Sequence, residues 1–87
     1  MHIVSKRALR EFWNEHIESE DALRRWFGIA NKARWHNLAE TKADYSSAES
    51  VGTCTVFNIR GNDYRLIVYI NYRIQRVYIL HILTHKQ

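Results

Sequence analysis

Between Tyr64 and Asn71 the chain reads Tyr-Arg-Leu-Ile-Val-Tyr-Ile-Asn, a nearly unbroken apolar run carrying one charge, Arg65. The run is bracketed by turn residues, Gly61-Asn62-Asp63 before it and the stretch 71–75 after it. Its length, its β-branched and aromatic content and those flanks predict a strand rather than a helix. A strand that apolar is covered on both faces and lies inside a sheet. It therefore needs a neighbour on each side. Residues 53–60, rich in Thr, Val, Phe and Ile, supply one across the Gly61-Asn62-Asp63 hairpin turn, and 76–83 supply the other.

The first half of the chain has a different texture. After a short β-type segment, His2-Ile3-Val4, Ser5 is placed to cap a helix running to about His16, with Ala8, Leu9, Phe12 and Trp13 on one face. Ser19 is placed to cap a second helix, with Glu20 and Asp21 in the first turn where the helix dipole favours acids. This helix continues to Ala33 and points Ala22, Leu23, Trp26, Phe27 and Ala30 at the core. Trp13, Trp26, Trp35, Phe12 and Phe27 all read as core residues. Residues 35–39 predict a short helical turn, and the polar stretch 41–51 predicts a loop.

A strand, two helices and a meander make an α+β fold. Two N-terminal helices are expected to pack on one face of an antiparallel three- to four-stranded sheet, in one domain spanning 1–87. Alternation places Leu66, Val68 and Ile70 toward the helices and Arg65, Ile67 and Tyr69 on the opposite face. On the last strand, Ile79, His81, Leu83 and His85 are expected to share a face.

The net charge is +4, and its distribution matters more than its sum. The first half is nearly balanced, whereas after Tyr45 five cations (Arg60, Arg65, Arg73, Arg76, Lys86) face two acids (Glu49, Asp63). A basic domain of this kind favours anionic partners, RNA or DNA among them. Cys54 is the one cysteine, so no internal disulfide forms, and its apolar surroundings read as a packed core thiol. No apolar run approaches the ~20 residues of a membrane span, and no signal peptide is apparent. A cytoplasmic protein without membrane contact is the expectation.

Few residues stand out chemically. Arg65 is either a phosphate clamp, since guanidinium matches phosphate oxygens bidentately, or half of a salt bridge to Asp63, Glu49 or a helix acid. His81 and His85 can move protons near neutral pH, as RNA cleavage requires; the plain alternatives are a half-buried strand position for His81 and a frayed chain end for His85. Asn58 and Asn62 bracket the hairpin turn and can contact a ligand. Tyr69 and Tyr72, on or beside the basic sheet, are the candidates for base stacking. Lys42, Arg60 and Lys86 complete the candidate binding set. No phosphate-binding glycine loop, Ser/His/Asp pattern or metal-ligand spacing is present, so no cofactor is expected.

The stretch from Val56 to Val68, Val-Phe-Asn-Ile-Arg-Gly-Asn-Asp-Tyr-Arg-Leu-Ile-Val, resembles the core signature of HigB-type toxins. So do Ser5-Lys6-Arg7-Ala8-Leu9-Arg10-Glu11-Phe12-Trp13, the Lys32 to Lys42 region with Trp35, Val77-Tyr78-Ile79, and Thr84-His85. The resemblance implies a RelE-like fold and metal-independent endoribonuclease action on mRNA, commonly on the ribosome. It also implies a helix-turn-helix antitoxin of the HigA type. It carries Arg65 over as the arginine that serves the scissile phosphate, and it puts His85 in the region of basic catalytic residues. After Thr84-His85 the family usually continues through an acidic residue into Tyr-Asp, where this chain reads Lys86-Gln87. Two alternatives therefore stand beside the nuclease: a non-catalytic basic module that binds RNA or protein, and a degenerate toxin that keeps only antitoxin binding.

Overall fold

The computed structural model describes residues 1–84. The elements run β1 (His2–Val4), α1 (Lys6–Glu15), a 3-10 turn (Ile17–Ser19), α2 (Glu20–Lys32), α3 (Leu38–Asp44), β2 (Glu49–Val51), β3 (Cys54–Ile59), β4 (Tyr64–Asn71) and β5 (Arg76–Thr84). The strands form one sheet in the order β1-β5-β4-β3-β2. The expected antiparallel meander is its centre, with β4 paired to β3 on one side and β5 on the other.

Three features depart from the expectation. The sheet is five-stranded and mixed, because β1 pairs with β5 in parallel, with Ile3 opposite Val77. The stretch expected to be a loop contains most of α3 and all of β2. Finally, neither serine caps a helix with its side chain. Ser5 sits at φ 74, outside the extended geometry that aims a capping hydroxyl at the first turn, and only its carbonyl accepts from Ala8 N–H, at 2.9 Å. Ser19 is fully buried and donates to the His16 carbonyl at 2.6 Å.

The third helix starts on a true cap. The Asn37 side chain accepts from Glu40 N–H at 2.9 Å, and the Glu40 carboxylate reaches back to His36 N–H at 2.9 Å. This reciprocal arrangement satisfies backbone donors that the helix itself leaves unpaired. The Trp35 indole N–H donates to Asp44 at 2.9 Å, and Thr41 Oγ1 meets the Tyr72 hydroxyl at 3.2 Å.

Burial alternates along β4, with Leu66, Val68 and Ile70 buried and Arg65 and Tyr69 exposed, so the strand is central in the sheet but covered on one face only, not on both as its apolar run predicts. The buried face packs against Leu9 and Trp13 of α1 and Leu23, Trp26 and Ala30 of α2. Phe57 of β3 is the aromatic hub, with Trp26 and Tyr45 edge-on at 5.4 Å and Trp35 stacked at 6.3 Å. The helices cover this one face.

Candidate functional site

The opposite, helix-free face is built by strand register. Directly paired residues share a face, so Asn58, Arg65 and Leu83 form one row across β3, β4 and β5. Val56, Ile67 and His81 form the next row. Tyr69 pairs with Tyr78 further along, and Asn71 with Arg76 at the end.

Arg65 is exposed and, among the described residues, makes no ion pair or hydrogen bond. Each sequence-level candidate for its counter-ion is otherwise placed. Asp63 pairs with Arg60 at 2.9 Å. Glu49 lies on β2, two strands away and opposite Val56 rather than in the Arg65 row. Of the helix acids, Glu11 pairs with Arg7, Glu20 with Arg24 and Glu40 with His36, and none of them bonds Arg65. An exposed cation with no carboxylate keeps its full capacity for an external anion.

His81 reaches this face because β5 carries a bulge. Val68 pairs with Ile79 while Ile67 pairs with His81, so Leu80 is an extra residue and the alternation slips by one. The expected common face of Ile79 and His81 is therefore wrong. Ile79 is buried against the helices, and His81 and Leu83 stand with Arg65. His81 is exposed and diagonal to Arg65, a relationship that sets Cα atoms about 7–8 Å apart.

The hairpin turn holds three more candidates at the Arg65 end. Asn58 Nδ2 donates to Asn62 Oδ1 at 3.3 Å, and Asn58 stands directly opposite Arg65. Gly61, at φ 66, supplies the left-handed backbone the turn requires. Arg60 takes φ 54 and closes the turn with Asp63, whose N–H donates to the Arg60 carbonyl at 3.2 Å. Both side chains of the Arg60–Asp63 pair are about half exposed, a setting in which such pairs contribute little and open readily.

Other candidates are not gathered here. Lys42 is exposed on α3, and the Tyr45 that follows this helix packs edge-on to Phe57 on the covered face. Tyr72 is half-buried with its hydroxyl on Thr41, so it does not offer a free ring to the sheet. Cys54 is half-buried at the end of β3, opposite the exposed Val51, and is not the packed core thiol expected. His85 and Lys86 lie outside the described residues. Tyr78 and Arg76, missed in the sequence, join the open face. Counting outward from the 71–75 turn finds them, since Asn71–Arg76 and Tyr69–Tyr78 follow before the bulge intervenes.

A second polar cluster sits at the helix side of the same sheet end. The buried Tyr64 hydroxyl donates to the exposed Glu18 carboxylate, and His16 stacks on Phe12 at 4.4 Å beside the Tyr64 ring. The hydrogen bond from Tyr64, with a smaller contribution from a backbone hydrogen bond, lowers the Glu18 carboxyl below its usual range. The same bond, with burial adding to it, pushes the Tyr64 phenol up to about 12.

Among the described residues no three His, Cys, Asp or Glu side chains gather to hold a metal, and no helix is long and apolar enough to cross a membrane. The family model described as HigB_toxin, RelE-like toxic component of a toxin-antitoxin system, matches residues 19–87 of the chain. The comparison with curated proteins gives no match.

Proposed function

Because the chain belongs to the HigB toxin family, RelE-like toxic components of toxin-antitoxin systems, we propose that residues 1–87 form a single ribonuclease domain that cleaves mRNA in the cytoplasm. Membership of that family implies an antitoxin as partner. In this reading the antitoxin is a helix-turn-helix protein of the HigA type, and cleavage takes place on the ribosome to stop translation.

The observation that carries the reading is the exposed Arg65, with no counter-ion among the described residues, on a helix-free face shared with His81 and Asn58. Cleavage of RNA needs no external nucleophile. The ribose 2′-OH attacks the adjacent phosphorus while a base takes its proton. The P–O5′ bond breaks, and an acid protonates the leaving oxygen. The products are a 2′,3′-cyclic phosphate and a free 5′-OH. Negative charge builds on the non-bridging oxygens during this step, and a fixed guanidinium opposite them lowers the barrier. Arg65 fills that role. His85 is the proposed acid or base, and His81, diagonal to Arg65, is the described imidazole placed to act with it. Arg60 and Lys86 add charge along the RNA path, Asn58 and Asn62 hydrogen-bond it at the turn, and Lys42 meets it further out. No step of this scheme calls on a metal.

The test is incubation of the purified chain with an mRNA, with and without ribosomes and with EDTA present throughout. The expected products are fragments with 5′-OH ends, in greater yield when ribosomes are present. Intact mRNA under both conditions, from a chain that still binds its antitoxin, would replace this reading with that of a degenerate toxin. RNA bound but uncut would leave a binding module.

A further inference from the structure

We propose that Tyr69 and Tyr78 form a nucleobase-stacking subsite on the open face, holding an unpaired base of the same RNA whose phosphate lies at Arg65. The inference rests on the RNA reading above and adds a binding site for a defined chemical group.

The two tyrosines are directly opposite on β4 and β5, with ring centroids 6.0 Å apart and planes tilted by 31°. Tyr69 is 40% exposed, one of the few large apolar side chains the fold leaves in solvent. Among the described residues neither hydroxyl has a hydrogen-bond partner. A cross-strand aromatic pair helps to hold two strands together, but that role does not require an uncovered ring. The helices lie on the other face, and the pair keeps an open side: Tyr69 is exposed and Tyr78, beside it, is half-buried.

The surroundings give the pair a direction. Arg76 follows on the same face, two residues from Tyr78 and opposite Asn71, and it too makes no ion pair among the described residues. In the other direction, Ile67 separates Tyr69 from Arg65. Four residues of strand place the Arg65 and Tyr69 Cα atoms about 13 Å apart. The open face thus runs from a cation, through an apolar middle, to an aromatic pair and a second cation. Among the described strands Glu49 is the one carboxylate, and it lies on the outermost strand, β2. A peptide would find few complementary charges unless it were acidic. A single strand of RNA finds both of its recurring chemistries: phosphates against the two arginines and a flat π-face against the rings. Exposed aromatics interleaved with cations are the general solution for unpaired nucleic acid.

The experiment uses fluorescently labelled 2′-O-methyl RNA decamers, which lack the attacking hydroxyl and so are bound without being cut. Affinity is read by anisotropy for the unmodified chain and for Tyr69→Leu, Tyr78→Leu, Tyr78→Phe and Arg65→Ala, each checked by thermal melting. The oligonucleotides include a series with one abasic residue moved along the strand. At one position the abasic residue should weaken binding by about tenfold or more, the size expected of one stacked base. Each Leu variant should lose a similar factor with the complete oligonucleotide, and the abasic penalty should then disappear. Tyr78→Phe keeps the ring and should keep the affinity. If binding weakens in Arg65→Ala but is unchanged in both Leu variants, or if the abasic penalty persists in them, the stacking subsite is overturned while the RNA-binding face stands. If the unmodified chain does not bind RNA, or Arg65→Ala binds as well as it does, the reading of this face falls and the subsite with it. Loss of antitoxin binding in the Leu variants with RNA affinity intact would assign the rings to a protein interface and overturn the proposal.

Discussion

Replacing Arg65 by Ala separates a residue kept for chemistry from one kept for the fold. Its side chain is exposed and, among the described residues, has no ion pair or hydrogen bond. Removing it leaves no described carboxylate stranded and opens no cavity. The stability change should stay within about 0.5 kcal/mol, as for surface substitutions away from special features. In a domain of this size that shifts the melting temperature by roughly 2–4 °C. The effect on cleavage should be far larger. Loss of one donor aimed at charge that develops in the transition state typically costs about 10²–10³ in rate. Arg65→Lys keeps the charge but not the bidentate fork, so its rate should fall between the two. The assay is a thermal melt paired with cleavage of a reporter mRNA, with growth arrest as the cellular readout. Had Arg65 closed a buried ion pair, the Ala change would cost about 3–5 kcal/mol, a fall in melting temperature of some 12 °C or more. A fall of that size, with full activity per folded molecule, would refute the assignment of Arg65 to the phosphate.

Three further outcomes follow from the geometry. Asn37→Ala removes the α3 cap and should cost about 1 kcal/mol, seen as a lower urea midpoint; an unchanged midpoint would mean the cap contributes nothing. Tyr64→Phe should flatten both ends of the stability–pH curve. Glu18 is held below its ordinary 4.5, so its contribution is present above that pH and fades as pH falls below it, whereas Tyr64, raised from 10 to about 12, contributes below pH 10 and loses that contribution as pH rises toward 12. Urea midpoints from pH 3 to 11 check this, and identical acid and alkaline arms in the two proteins would count against a coupling through that hydrogen bond. Affinity for single-stranded RNA should fall with salt at about 0.7 logarithmic units per phosphate neutralised, and Arg65→Ala and Arg76→Ala should each lower that slope; a salt-independent constant would argue against phosphate contacts.

The central strand was legible because its signals agree. Apolar alternation, β-branched residues and a turn at each end all specify Tyr64–Asn71, and the purely aliphatic parity of Leu66, Val68 and Ile70 leaves the lone arginine to the outer face. The helices α1 and α2 were legible for the same reason, since each has an apolar stripe at helical spacing. The third helix was not, because Leu-Ala-Glu-Thr-Lys-Ala-Asp has too few apolar residues to show a stripe. It is held by its Asn37–Glu40 cap and by the Trp35–Asp44 and Thr41–Tyr72 contacts, the first two of which join residues no more than nine apart in the chain. The Asn37-x-x-Glu40 spacing was the readable clue. The parallel pairing of β1 with β5 joins residues more than seventy positions apart and leaves no local trace.

Site membership turned on a single backbone irregularity. Strand parity runs out from a turn with certainty only while every residue has a partner. From the 71–75 turn, that rule assigns Arg76 and Tyr78 to the face of Asn71 and Tyr69, as the register has it. Carried on without the extra residue at Leu80, it would keep His81 with Ile79 and away from Arg65. The bulge lets one strand serve two demands. Its first half buries Val77 and Ile79 against the helices in step with Ile70 and Val68. Past Leu80 it turns Ile82 toward Leu66 on that same covered side and hands His81 and Leu83 to the Arg65 face. A regular β5 would have sent His81 into the helix layer, where an imidazole must be desolvated and hydrogen-bonded, and would have left the Arg65 face without it. The slip at Leu80 therefore both completes the core and brings an imidazole diagonal to the arginine, which is why sheet bulges recur beside sites where a side chain must be re-aimed.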